Sequence, residues 1–239
     1  MNFVQPRTDI LPPAQQILWP LLCQIEHGFV LYGGTAVALY HGHRQSVDFD
    51  FFGDPAFDPF QLKAKYEFLK MGETIQTAEN TLSVLVPSPQ GEVKFSFFGG
   101  LKFGRAAAPS VCNDILVRLA SPLDLTVQKL KVIQVRSESK DYLDLDCLLQ
   151  KGVDLAEALG AARALYPDFP VASALRAMCY FKDGDVATIP KATKKRLTES
   201  VEKVKEVKEV PRECDQLDIT RTQLEDLRKG TSLPKQRAC

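Results

Sequence analysis

Val47-Asp48-Phe49-Asp50-Phe51 constrains the fold of this 239-residue chain more than any other stretch. Its alternation has period two, so it reads as a β-strand with both aspartates on one face and Val47, Phe49 and Phe51 on the other. The apolar face calls for a core. The acidic face calls for something that tolerates two adjacent charges, and Phe51-Phe52 implies a mostly buried strand, where paired acids need a cation. Hard oxygen ligands suit Mg²⁺, with Mn²⁺ as the alternative.

Upstream, Phe29-Val30-Leu31-Tyr32 is a short β-favouring run, and Thr35 to Tyr40 has helical character. Gly33-Gly34 therefore sits at a strand-to-helix turn, whose free backbone N–H groups suit an anion. Two glycines let the backbone approach a triphosphate closely, and Thr35 can cap the helix or bond a phosphate oxygen. Taken alone, a Gly-Gly pair before a helix is a tight turn. The acidic strand that follows shifts the reading to a phosphate cradle facing a divalent cation. His41 and His43 flank Gly42 at the expected helix end, where capping or packing explains them better than a transition-metal cluster with Asp48 and Asp50.

The rest of the chain supplies a sheet and then a bundle. Apolar spacing predicts helices over 14–25 and 59–69. Residues 81–87 and 92–98 read as two strands of a hairpin around Pro87-Ser88-Pro89-Gln90-Gly91, and 111–119 holds one more short strand. Ser121-Pro122 marks a capped helix start. Beyond it the pattern is helical near 122–135, 138–150, 154–165, 170–181 and 191–209. The fold class is thus α+β, a mixed β-sheet with flanking helices followed by a helical C-terminal half, with domains 1–120 and 121–239. Past Pro211 the tail is polar, and its end is expected to be partly disordered.

Composition narrows the partners. Formal net charge is zero, so any RNA contact must come from a local patch. Lys191 to Arg196 could touch RNA phosphate, although a basic helix end is the commoner explanation. Six scattered cysteines without CxxC spacing argue against a zinc ribbon and fit reduced thiols. No stretch approaches the roughly 18 apolar residues of a membrane span, so no membrane association and a cytoplasmic location are expected.

Gly33-Gly34-Thr35-Ala36, Gly42-His43-Arg44, Ser46 and Asp48-Phe49-Asp50-Phe51-Phe52 together resemble the signature of the AbiEii/AbiGii-type nucleotidyltransferase toxins. These form a branch of the DNA polymerase β-like nucleotidyltransferase superfamily found in toxin–antitoxin and abortive-infection systems. The likeness continues through Asp124-Leu125, Lys129-Leu130, Arg136 and Lys140-Asp141-Tyr142-Leu143-Asp144-Leu145, and more weakly through Ala177 to Asp183. It spans about residues 27 to 190. The resemblance implies metal-dependent transfer of an NMP from an NTP to a hydroxyl on RNA, often a tRNA 3′ end, or on protein, with a cognate antitoxin as a further partner. It assigns Asp48 and Asp50 to the metal, Gly33, Gly34, Thr35, Arg44 and Ser46 to the nucleotide, and Lys129 and Asp141 to the third and fourth catalytic motifs. Lys129 could reach a phosphate oxygen, and Asp141 could orient Lys129 or a base.

One departure stands out. The superfamily commonly supplies a third carboxylate from a neighbouring strand, where this chain has Ser96. Either Asp141 or Asp144 substitutes from the helical half, or the chain is slow or silent. Asp141 and Asp144 lie three apart on one helical face, where surface ion pairs with Lys140 are the plain alternative. A catalytically silent RNA- or protein-binding regulator is accordingly the second expectation.

Overall fold

The computed structural model describes residues 2–220, 222 and 223. In chain order the strands are β1 (Phe3–Val4), β2 (Phe29–Tyr32), β3 (Asp48–Gly53), β4 (Glu73–Ala78), β5 (Thr81–Ser88), β6 (Gly91–Phe98), β7 (Ser110–Cys112) and β8 (Arg118–Leu119). The helices are α1 (Pro13–Leu18), α2 (Gly33–His41), α3 (Pro59–Lys65), α4 (Glu67–Lys70), α5 (Pro122–Val132), α6 (Ser139–Gln150), α7 (Leu155–Leu165), α8 (Val171–Met178) and α9 (Lys191–Lys203). Among the described residues the strands form one mixed sheet, ordered β1-β7-β8-β2-β3-β6-β5-β4. The expected α+β class, mixed sheet first and helices after, is what the chain adopts.

β3 lies near the middle of this sheet, antiparallel to β2 and parallel to β6. Its alternation is realised as read: Phe49 and Phe51 are buried, while Asp48, Asp50 and Phe52 share the opposite, more open face. On the buried side Phe49 meets Trp19 and Phe95, and Phe51 stacks on Phe97. Burying each such ring contributes about 1.5–3 kcal/mol, which fixes the register of β3 against a one-residue slip. The hydrophobic core has two large clusters, one behind the sheet and one among α5 to α9, with Phe103 and Val153 packed against both, and a small third one of Val111 and Ile219.

Local chemistry explains the helix starts. The Ser121 hydroxyl accepts from the Asp124 N–H with Pro122 in the first turn, Asp154 caps α7, and Asp58 caps α3. Gly42 ends α2 in the left-handed conformation that glycine adopts without penalty. The expected 14–25 helix holds its α form only to Leu18 and tightens into a 3₁₀ turn over Trp19–Gln24, where Pro20 removes an N–H donor. The 59–69 helix breaks at Tyr66.

Three differences from the sequence reading concern the edges. β4 was not expected, because an outer edge strand with both faces exposed carries no apolar alternation. The 111–119 segment is two short strands joined by a turn, not one. The last helix stops at Lys203, with extended backbone at Val204, although the valine spacing continues. Val204, Val207 and Val210 still pack against the helical core.

The polar tail is not loose where it is described. The Arg105 N–H donates to the Cys214 carbonyl, and Leu217, Asp218 and Ile219 are buried. Asp218 pairs with buried Arg118 at 3.0 Å, and the Leu217 N–H donates to Asp54. Residues 214–219 thus strap the helical half back onto the sheet. The end expected to be disordered lies outside the described residues.

Candidate active site

The open face of β3 forms the floor of a cleft of about 530 Å³, roofed by α5 and the start of α6. Asp48 and Asp50 line it together, beside Gly33 and Gly34 at the start of α2. The backbone favours glycine at Gly33, and space is tight at Gly34. Gly33 has φ +74°, and a Cβ added to it would lie 2.7 Å from Asp50 Oδ2; a Cβ on Gly34 would overlap Arg44 and come 3.0 Å from Ser46 Oγ. The first turn of α2 has N–H groups without intrahelical acceptors, so an anion placed against the carboxylates also meets a helix N-terminus.

The two strand acids differ in surroundings. Burial pushes the Asp50 carboxyl above its ordinary range and the nearby Asp48 charge adds to this, while Lys94, Lys129 and a hydrogen bond from Ser96 oppose it. Among the described residues none places a cation within ion-pair distance of Asp50. Asp48 faces Lys94, whose Nζ lies 3.4 Å from Oδ2.

On the opposite wall the acids are fully neutralised. Asp141 and Asp144 are both 0% exposed, so the expected surface ion pairs with Lys140 are replaced by buried ones. Lys129 Nζ bridges them at 2.8 Å from Asp141 and 2.6 Å from Asp144. Asp141 also accepts from Arg136 at 2.8 Å. Asp144 accepts from Arg44 at 2.6 and 2.8 Å, with His43 Nε2 at 2.7 Å. Burial alone would raise both carboxyls. Arg136 and Lys129 hold Asp141 below its usual value, and the His43 hydrogen bond with the Lys129 and Arg44 charges holds Asp144 well below.

This geometry sorts the expected site residues. Asp48, Asp50, Gly33, Gly34, Ser46, Arg44 and Lys129 converge on one cleft. Thr35 does not: it is buried and its hydroxyl donates to the Asp48 carbonyl, tying α2 to β3 instead of reaching a phosphate. Asp141 lies behind Lys129 and pairs with that ammonium, and it does not line the cleft. Arg44 is committed to Asp144 and supports the wall. His43 is part of the same network, and His41 is pushed down to about 4 by burial. Neither joins Asp48 and Asp50. The sequence reading passed over Lys94, although the alternation of residues 92–98 put it on one face with Ser96. The β3/β6 register then sets Lys94 opposite Asp48 and Ser96 opposite Asp50.

No three His, Cys, Asp or Glu side chains group as a metal site among the described residues, so the protein offers two carboxylates. That set fits one hard cation sharing its other positions with phosphate or water oxygens, as Mg²⁺ does. Neither Asp141 nor Asp144 supplies a third ligand, because both are saturated by basic side chains.

A mixed sheet presenting an Asp-x-Asp strand beside a glycine-led helix, with a cationic helical wall opposite, defines a nucleotidyltransferase fold. The chain is similar to the crystal structure of an H. pylori protein assigned as a nucleotidyltransferase, with a TM-score of 0.54 at 17% identity over 79% of this chain and 92% of that one. The chain belongs to the family described as Nucleotidyl transferase AbiEii toxin, Type IV TA system, which matches residues 21–212. An uncharacterised protein of Aquifex aeolicus (strain VF5) is 32% identical over 158 residues, which is 65% of this chain and 74% of that protein. Among the described residues no helix is long and apolar enough to cross a membrane.

Proposed function

We propose that this chain is a Mg²⁺-dependent nucleotidyltransferase that moves an NMP from an NTP to a hydroxyl of RNA, a tRNA 3′ end in particular, or of protein. It would act in the cytoplasm as the toxin paired with a cognate antitoxin, in a toxin–antitoxin or abortive-infection setting. One observation carries the reading: Asp48 and Asp50 face a single cleft at the Gly33-Gly34 helix start.

Asp48 and Asp50 would hold Mg²⁺, or Mn²⁺ in its place, which when bound supplies Lewis-acid stabilisation of charge at the α-phosphate. The N–H groups at Gly33 and Gly34 receive the triphosphate, and the Ser46 hydroxyl lies beside them. Lys129 has two of its three N–H bonds directed to Asp141 and Asp144, which leaves one donor for a phosphate oxygen. Arg136 and Lys140 line the rim, ion-paired with Asp141 and Glu138 but about half exposed, and would offer their remaining N–H donors to RNA phosphate. Phe52 and Phe98, next along their strands after Asp50 and Ser96, offer ring surface for the nucleobase.

Labelled NTPs with Mg²⁺ and total RNA or protein fractions test the reading, with label expected on one acceptor fraction. Transfer that survives Asp48→Asn combined with Asp50→Asn sinks the site. Ser96 opposite Asp50 favours one alternative, a catalytically silent RNA- or protein-binding regulator. Partner binding without NTP or metal affinity in calorimetry would select it.

A further inference from the structure

We propose that the Lys94 ammonium takes the place of a second divalent cation beside Asp48, so that this cleft transfers a nucleotide with one bound cation. The inference rests on the nucleotidyltransferase reading above and concerns how that site balances its charge.

Strand pairing fixes the neighbours. β3 and β6 run parallel with Asp48 opposite Lys94, so the ladder itself keeps the ammonium next to the carboxylate. Nζ stands 3.4 Å from Asp48 Oδ2, with the two side chains 36% and 33% exposed, and both line the cleft. The other basic groups of the inner cleft are spoken for: Lys129 by Asp141 and Asp144, Arg44 by Asp144, and Arg136 by Asp141. Lys94 therefore contributes positive charge on the floor itself, where Asp48 and Asp50 meet the substrate.

The acids set the limit on cations. Two divalent ions bound to one strand need carboxylate oxygens for both, and this floor has two aspartates with one oxygen of Asp48 already facing an ammonium. Asp141 and Asp144 cannot be recruited without leaving Lys129, Arg44 and Arg136 unpaired. A second divalent ion at Asp48 would also sit beside a like charge tethered by the ladder. Asp48 and Asp50 would hold one divalent ion, and with Lys94 beside Asp48 the charges of the floor would be opposed.

Lys94 then acts as a point charge with three donors on a flexible stem, suited to a phosphoryl oxygen that gains charge during transfer. In that transfer the acceptor oxygen bonds to the α-phosphorus as the α–β bridging bond breaks. Its electron pair leaves on pyrophosphate, and the hydroxyl proton passes to solvent water.

Mn²⁺ titration followed by electron paramagnetic resonance, on the full chain with each of the four α,β-methylene NTPs, reads the stoichiometry directly. The wild type is expected to take up one Mn²⁺ per protein–nucleotide complex, Lys94→Arg one, and Lys94→Glu two. Lys94→Met should lower turnover by about 10²-fold at limiting Mg²⁺, with Lys94→Arg restoring most of it. A surface ion pair alone would leave the turnover of Lys94→Met unchanged. Two Mn²⁺ in the wild type, or one in Lys94→Glu, overturns the assignment while leaving the nucleotidyltransferase reading intact. No Mn²⁺–nucleotide uptake in any variant overturns both.

Discussion

Two pairs of aspartates face each other across the cleft, and their surroundings are opposite. Asp48 and Asp50 project from a strand, two residues apart, with Asp50 desolvated and held above its ordinary carboxyl range. Asp141 and Asp144 project from a helix, three residues apart, are more deeply buried, and yet lie below that range. Basic partners make the difference. Lys129, Arg44, Arg136 and His43 converge on the helix pair from three other segments, whereas among the described residues the strand pair has one ion-pair partner, Lys94. Burial does not decide whether an acid is a ligand or a strut; the charges delivered to it by distant parts of the chain do.

The comparison can be broken most sharply by neutralising each pair in turn. Asp48→Asn or Asp50→Asn should reduce nucleotide transfer by about 10³-fold or more, with little loss of folding stability, since ionised Asp50 is already disfavoured. Radiolabel transfer and urea unfolding on the same preparation check both halves. Asp144→Ala should do the reverse first, lowering stability by about 3–5 kcal/mol because buried Lys129 and Arg44 lose their partner. An unfolding midpoint unchanged by Asp144→Ala would erase the distinction between the pairs.

Acid titration separates them by sign. Asp141 and Asp144, with folded values below the unfolded one, contribute stability that is present above about pH 4 and lost as pH falls through their folded values. Asp50, with its folded value raised, binds a proton more readily in the folded state, so between about pH 4 and that value its contribution declines as pH rises. Urea unfolding across pH should therefore show Asp50→Asn removing a loss toward neutrality, and Asp144→Asn removing a gain out of acid.

Smaller effects sharpen the picture. Gly33→Ala places a Cβ against Asp50 at positive φ, and about 1–2 kcal/mol of stability should go with it, together with NTP affinity measured by calorimetry. Arg136→Gln is expected to cost under about 1 kcal/mol in urea unfolding. Its guanidinium is 45% exposed and screened, and Lys129 still holds Asp141.

How far this was legible in the sequence follows from the range of the interactions. The strand acids were readable because alternation over Val47 to Phe51 assigns faces locally, and the β5–β6 hairpin because both strands flank one turn. The start of α5 followed from Ser121 and Pro122. The burial of Asp141 and Asp144 was not readable, since two acids three apart on a helix look the same whether they meet water or Arg44 from a hundred residues away. Thr35 fits a phosphate motif by type, but its hydroxyl is taken by a carbonyl thirteen residues on. β4 and the shortened α9 escaped for a related reason: one lacks an apolar face, and the other carries its valine spacing into extended chain. Arg196 shows the same limit in the basic 191–196 cluster, where it is drawn onto Asp146.

The strap formed by residues 214–219 gives the cleft a mechanical character. The polypeptide crosses from sheet to helices once, between β8 and α5, and the strap brings it back, fastened by Asp218 on Arg118, Leu217 on Asp54 and Cys214 on Arg105. Two joints in place of one turn a hinge into a buckle. The spacing of the walls on either side of the acids is thereby set by contacts between residues far apart in the chain.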